Sequence, residues 1–454
     1  MKTTNFRYVK NADELLSHGH PELRLDALRI LERVLGEVNP YARSLALLRL
    51  EEDALVVGGR RHALAPHQRV WFIGAGKASF PIARAVEDIL GARLAGGLVV
   101  CKGEQERGLE RIAMLRADHP VPSAASVAGA KQALALCAGV AAGDIVISGI
   151  TGGSSALLTL PCEGLELDDV QELTKLLLTC GANIVEINAV RKHASQVGGG
   201  RLAMALDPQV RIINITASDV IGDALDYVTD PTVPDTSTVA DARATLTRYA
   251  LWDRVPARVA SFFGEGGPVR ETPKQLPHPI QNELLLSASS AADAALMAAS
   301  QLGYSTLLLS SCFEGESSSL GHVFASIARE IVYREGPVRP PCAVIGGGET
   351  IVTMGGFGGR GGPNQEFALA GAMHLPDAQV VLLGADTDGT DGPTDLAGGL
   401  CDALTRQDAA ARHIDVAKAL LEHRASDALQ ALSDAVVTGA TGSNVNDLKL
   451  MLIR

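Results

Sequence analysis

Residues 71–80 read WFIGAGKASF, an apolar run that breaks into Gly-x-Gly and resumes as a helix-forming segment. Strand, glycine turn and helix in that order open a doubly wound α/β domain. There the turn offers backbone N–H groups and the positive helix end to an anion. Gly74, Gly76 and Ser79 are the turn residues expected to face that anion. A nicotinamide site would also need an acidic residue ending the second strand, to hold the ribose. That strand, GGLVV, runs instead into Cys101-Lys102-Gly103. Lys77, inside the turn, would put a cation on phosphate oxygens. Alone the turn also fits an ordinary tight connection; with its lysine it points to phosphate rather than nicotinamide.

The same alternation runs outward from this stretch. KQALALCAG and DIVISGITGGSSALL repeat helix, strand and glycine turn, VRIINITASDV (210–220) adds another apolar strand, and residues 188–206 are predicted helical. Strands alternating with helices predict a largely parallel sheet covered on both faces. Residues 265–283 hold four prolines and few apolar positions, which predicts a linker. Two Rossmann-like α/β domains with an interdomain cleft are therefore expected, over residues 1–264 and 284–454. A chain of 454 residues is too long for one ordinary core.

The net charge of −12 argues against nucleic acid, whose phosphates need a basic surface, yet permits a local cation cluster around a small anion. Seven scattered cysteines without a C-x-x-C pair fit reduced thiols in the cytoplasm. No apolar stretch nears the roughly 18–20 residues that span a bilayer, so a membrane is not expected as a partner. Oligomeric state is left open, a homodimer included.

Five further stretches carry chemistry. In ISGITGGSSALL (147–158), Gly152, Gly153, Ser154 and Ser155 offer backbone and hydroxyl donors suited to a substrate anion or phosphate. NAVRKHASQVGGGRLA (188–203) concentrates Arg191, Lys192, His193 and Arg201, cations able to receive carboxylate or phosphate. Asp219 and Asp223 follow the strand of VRIINITASDV, where parallel sheets place ligands; Asp219, nearer the strand end, is expected to orient or deprotonate a hydroxyl, or to hold Mg²⁺. GGGETIVTMGGFGGRGGPNQEFALA (346–370) combines Glu349, Arg360, Gly361, Gly362, Asn364, Gln365 and Glu366. Arg360, flanked by glycines that add no packing, is expected to reach an anion. GADTDGTDGPTDLAGG (384–399) carries Asp386, Asp388, Asp391 and Asp395; it is no EF-hand loop, because position twelve from Asp386 is Ala397, and it fits a magnesium- or nucleotide-facing loop, or a plain Asp/Gly turn array.

In this order the stretches resemble the class II glycerate 2-kinase family over nearly the whole chain. GAGKAS, RKH, SDVIGD and PTVPD resemble its N-terminal domain. GGGET, GRGGPNQEFALA, TDGTDGPTDLAG and TGATGSNVNDL (438–448) resemble its C-terminal MOFRL domain. The resemblance implies transfer of the ATP γ-phosphate to the 2-hydroxyl of D-glycerate, with Mg²⁺, in a cleft between two domains. It implies catalytic roles for Lys77, Asp219 and Arg360, a metal role for Asp219 and Asp386, and a nucleotide-facing role for Glu349, Gly361, Gly362, Asn364, Gln365, Glu366, Asp388 and Asp391. The chain departs from the family pattern in SGITGGSSALL, usually SGGGSALL, in Gly198, usually lysine, and in Ser123 of HPVPS. These loops leave the acceptor open between D-glycerate and another short hydroxy acid. Members often bear the name hydroxypyruvate reductase; the missing ribose carboxylate weighs against that chemistry.

Overall fold

In the computed structural model, residues 5–103, 108–218, 231–287, 289–356 and 358–454 are described. The chain forms two compact units, one from Pro40 to Leu286 and one joining the segment up to Asn39 with Ser287–Arg454.

The unit Pro40–Leu286 opens on an antiparallel meander, β1 (Leu48–Glu51), β2 (Ala54–Val57) and β3 (Arg60–Ala63). Its main sheet contains β4 (Val70–Ala75), β5 (Leu94–Cys101), β6 (Ile112–Arg116), β7 (Ile145–Thr151), β8 (Arg211–Ala217) and β9 (Ile280–Leu286). All six are parallel, in the order β6-β5-β4-β7-β8-β9. β4 and β7, at the centre, are apolar along both faces, as a sheet covered by helices on each side requires. Ile73, Ala75, Leu98 and Val100 pack with Ala130, Ala133 and Cys137 of the helix Ala124–Gly139. The helices Leu167–Thr179, Ile184–His193, Val239–Arg248 and Ala257–Phe263 close a second cluster around Leu173, Val190, Leu246 and Phe263.

Two boundaries differ from those expected. Residues 265–283 do not link units: Thr272 is buried and donates to Asp235 at 2.7 Å, and Ile280–Leu286 is the edge strand of the parallel sheet. Proline blocks regular structure there without making the segment a hinge. The helix predicted over 188–206 ends at His193, where the chain turns toward its triple glycine.

The other unit holds β10 (Ser305–Phe313), β11 (Cys342–Gly348), β12 (Val380–Asp386), β13 (Gly398–Asp402), β14 (Ala435–Val436) and β15 (Asp447–Ile453), in the order β10-β11-β15-β12-β13-β14. Only β10 and β11 pair in parallel; β15 runs antiparallel to both its neighbours. This sheet is thus mixed rather than doubly wound. On one face Val344, Leu382 and Met451 meet Phe324 and Phe367, whose rings contact edge to face at 5.0 Å. The helix Pro21–Glu37 also belongs here, against expectation. It packs on the helix Ser290–Gln301 and on β12 and β15. Its Arg24, wholly buried, donates to Asp402 at 2.6 Å and to Asp434 at 2.7 Å. Among the described residues no helix is long and apolar enough to cross a membrane.

Candidate active site

The strand order reverses between β4 and β7: β5 and β6 lie on one side, β8 and β9 on the other. Such a switch point leaves a crevice at the carboxyl ends of the two central strands, the usual ligand position in a doubly wound sheet. The turn after β4 is laced to the end of β7 across it. Lys77 N donates to Gly152 O at 2.9 Å, Ala78 N donates to Thr151 Oγ1 at 3.1 Å, and the Ser79 and Thr151 hydroxyls lie 3.2 Å apart. Gly76 has φ +137°, and a Cβ there would stand 2.0 Å from Thr151 Oγ1 and 2.6 Å from Thr151 O. Gly76→Ala is therefore expected to destabilise the unit by at least about 2–3 kcal/mol, measured as a lower urea midpoint; an unchanged midpoint would mean the turn is looser than drawn. Gly74 meets Phe72 inside the sheet and Ser79 is fully buried on Thr151, so both shape the turn rather than face a ligand.

Lys77 is half-buried and forms no ion pair among the described residues. A Cβ on Gly153, at φ +85°, would meet His119 Cδ2 at 2.9 Å and Lys77 Cγ at 3.4 Å. The imidazole and the lysine stem thus close over the second glycine turn. Burial, and the positive charges of Lys77, Lys102 and Arg191, push the His119 imidazole down to about 4. His119 was missed in the sequence; its only signal is the HPVP turn after β6, and only the sheet order brings it here. Because the unfolded chain protonates this histidine near 6.5 and the folded one near 4, its contribution to stability is present above pH 6.5 and lost as pH falls toward 4. His119→Gln should therefore lose less melting temperature than the wild type between pH 7 and pH 5; equal losses would place the imidazole in open solvent.

The four cations around the triple glycine separate. Lys192, buried, donates to Asp235 at 2.9 Å; its charge is neutralised inside the fold, which removes it from the expected anion-binding set. His193 is buried between Ala189 O and Glu271, at 2.7 and 3.3 Å. Arg201 donates to the backbone carbonyls of Lys192, Ser195 and Arg270. Arg191 also lacks a carboxylate partner among the described residues but, unlike Arg201, is not taken up by backbone carbonyls: Nη1 donates to Ser155 Oγ at 3.2 Å, and burial lowers the guanidinium to about 10. Asp219 and Asp223 lie outside the described residues.

In the other unit the glycine-rich stretch leads into the helix Pro363–Ala372. Its flanking glycines, expected to add no packing, pack tightly. A Cβ on Gly359 would lie 2.0 Å from Glu422 O, and one on Gly362 would lie 2.3 Å from the Asp391 carboxylate. Asp391 caps the helix, accepting from Asn364 N at 3.0 Å and Gln365 N at 2.9 Å, although burial pushes its carboxyl up to about 6. The Asn364 amide donates to Asp391 and Asp447 and accepts from Lys449 Nζ at 2.5 Å. Gln365 is bonded to Thr394 and Ser426, and Glu366 to His423 at 2.9 Å. These four side chains, expected to face a nucleotide, are engaged within the fold. Gly361 packs on His423 O, at 3.1 Å from its built Cβ. Arg360 is exposed, 3.5 Å from a still more open Asp395, a pairing too solvated to hold it. Glu349 is exposed after β11. Asp388 accepts from Thr390 N at 2.7 Å, and its own N–H donates to Asp386 at 2.9 Å. Burial first, then the Asp447 and Asp388 charges, raise the Asp386 carboxyl well above the usual range. Among the described residues no three His, Cys, Asp or Glu side chains converge as a metal site.

A parallel sheet with a lysine-bearing glycine turn at its switch point defines a phosphate-handling α/β protein. Residues 26–264 match the family described as a domain of unknown function, DUF4147, and residues 342–447 match the MOFRL family. The chain is 39% identical to a glycerate 2-kinase of Pyrococcus horikoshii, over 95% of this chain and 98% of that one. It is 29% identical to a human glycerate kinase, over 94% and 92%. The crystal structure of a glycerate kinase from Thermotoga maritima superposes with a TM-score of 0.83 at 33% identity, covering 95% of this chain and all of that one. The chain belongs to the class II glycerate kinase family.

Proposed function

We propose that the chain transfers the γ-phosphate of ATP to the 2-hydroxyl of D-glycerate. The observation that carries this reading is Lys77, which forms no ion pair among the described residues, at the switch point, where β5 ends on Cys101 and runs into Lys102 rather than into a carboxylate for a ribose. Lys77 would neutralise charge on the transferring group, and Arg360 is proposed for a role of the same kind. Asp219 would orient or deprotonate the attacking hydroxyl. The nucleotide-facing set narrows to Glu349, Gly361 and Asp388, because Asn364, Gln365, Glu366, Gly362 and Asp391 serve the fold. Mg²⁺ would enter with the nucleotide, with Asp219 and Asp386 the carboxylates proposed to hold it, since the ion is commonly bound by one or two carboxylates beside substrate phosphates. Relatives that are kinases of a small acid and seven unpaired cysteines support a small-molecule substrate and a cytoplasmic setting.

The test mixes the protein with MgATP and a panel of short hydroxy acids and follows ADP, beside a parallel set holding hydroxypyruvate and NAD(P)H. ADP released with D-glycerate is the expected result. Release with a four-carbon acid alone would keep the chemistry and change the acceptor. Cofactor oxidation without ADP release would overturn the reading.

A further inference from the structure

Beside the switch point, within the unit Pro40–Leu286, lies a narrow pocket. Its polar lining includes Ser154, Ser155 and Arg191, together with Lys192, whose charge is already held by Asp235. The back wall is apolar: Leu158, Val170 and Leu173. Two groups there are left wanting. Ser154 is 2% exposed and its hydroxyl has no hydrogen-bond partner among the described residues, a condition that costs about 1–3 kcal/mol in a folded protein. Arg191 has a hydroxyl for a partner but no carboxylate among the described residues, and a guanidinium does not shed its proton to escape burial. A donor and a cation, both short of an acceptor and lining one small cavity, describe the complement of a small anion.

We propose that Arg191, Ser154 and Ser155 form the subsite for the carboxylate of the acceptor acid, and that the wall of Leu158, Val170 and Leu173 fixes how far that carboxylate enters. The inference deepens the kinase reading and rests on it for the identity of the acid. A carboxylate, with two oxygens in a plane, matches the guanidinium fork. A phosphoryl group carries three terminal oxygens and calls for a cradle of backbone N–H donors beside its cation. It belongs instead with Lys77 and the glycine turns. In this arrangement the acid is gripped by its unreactive end, so that one hydroxyl, and not the other, can be presented to the phosphate.

Ser154→Ala is the sharpest variant, because it deletes a hydroxyl that the fold does not use and should leave the melting temperature equal or higher. Its KM for D-glycerate is expected to rise about tenfold or more, the effect of losing a hydrogen bond to a charged group, while the KM for ATP stays within about twofold of wild type. Arg191→Lys keeps the charge, loses the fork and should show the same split. A rise in the KM for ATP with that for glycerate unmoved would assign the pocket to phosphate and overturn the proposal, as would two unchanged constants. A binding arm needs no turnover: D-glycerate without nucleotide should raise the melting temperature of the wild type and not of Ser154→Ala, and glycerol, which lacks the carboxylate, should raise neither. If no ADP were released with any acid, the kinase reading would fail, and this arm would still decide the subsite: a shift with wild type alone supports it, equal shifts sink it.

Discussion

Replacing Lys77 by alanine is expected to lower kcat for ADP release with D-glycerate about 100- to 1000-fold, with a far smaller change in KM for the acid. The lysine stands between two glycine turns that have no carboxylate to answer it, and its backbone N–H is fixed on Gly152 O. A charge held rigidly beside a transferring phosphoryl group stabilises the transition state more than the ground state, because negative charge there redistributes as the bond to the donor breaks. Lys77→Met keeps the aliphatic stem that lies against Gly153 and should lose as much as alanine, which separates charge from packing. A purely structural lysine would give the opposite pattern, with methionine near wild type and alanine unstable. Either variant within about tenfold of wild-type kcat would remove Lys77 from the chemistry.

The second large effect is on stability. Arg24→Ala is expected to destabilise its unit by about 3–5 kcal/mol, the usual result of leaving a buried ion pair without one partner. Here two buried carboxylates, Asp402 and Asp434, would lose the guanidinium at once. The measurement is a urea titration followed by far-ultraviolet circular dichroism, in which the midpoint falls. Both tryptophans, Trp71 and Trp252, lie in the other unit, so fluorescence reports that unit separately. An unmoved dichroism midpoint would show that water reaches the two carboxylates and that the ion pair contributes little.

The parts legible in the sequence were those whose cause is local. GAGKAS announced its turn because a strand must end, a glycine must take a backbone conformation that other residues avoid, and a helix must start, all within ten residues. Arg191 and Lys192 show where that legibility stops. They are neighbours in one basic cluster, yet Lys192 is neutralised by Asp235, forty-three positions on, and Arg191 is not. The same limit explains Asp391, Asn364 and Gln365. A carboxylate that caps a buried helix and one that meets a ligand have the same composition and the same glycine neighbours; only burial and partners tell them apart. His119 was invisible because its neighbours Lys77 and Gly153 arrive on other strands. The helix Pro21–Glu37 is attached through Asp402 and Asp434 near the far end of the chain, and no window of sequence contains both.

That attachment has a consequence for how the chain is made. Ribosomal synthesis delivers Pro40–Leu286 as one uninterrupted stretch holding every strand of its own sheet, so this unit can fold once residue 286 has emerged. The other unit is written around it: its helix Pro21–Glu37 comes first, and β15, third in the order of its six strands, comes last. Until β15 emerges, β11 and β12 have no strand between them and the helix has no complete surface to cover. A ribosome stalled ahead of that strand would therefore hold one finished body and one open core, which makes the order of translation a determinant of which half of this protein needs a chaperone.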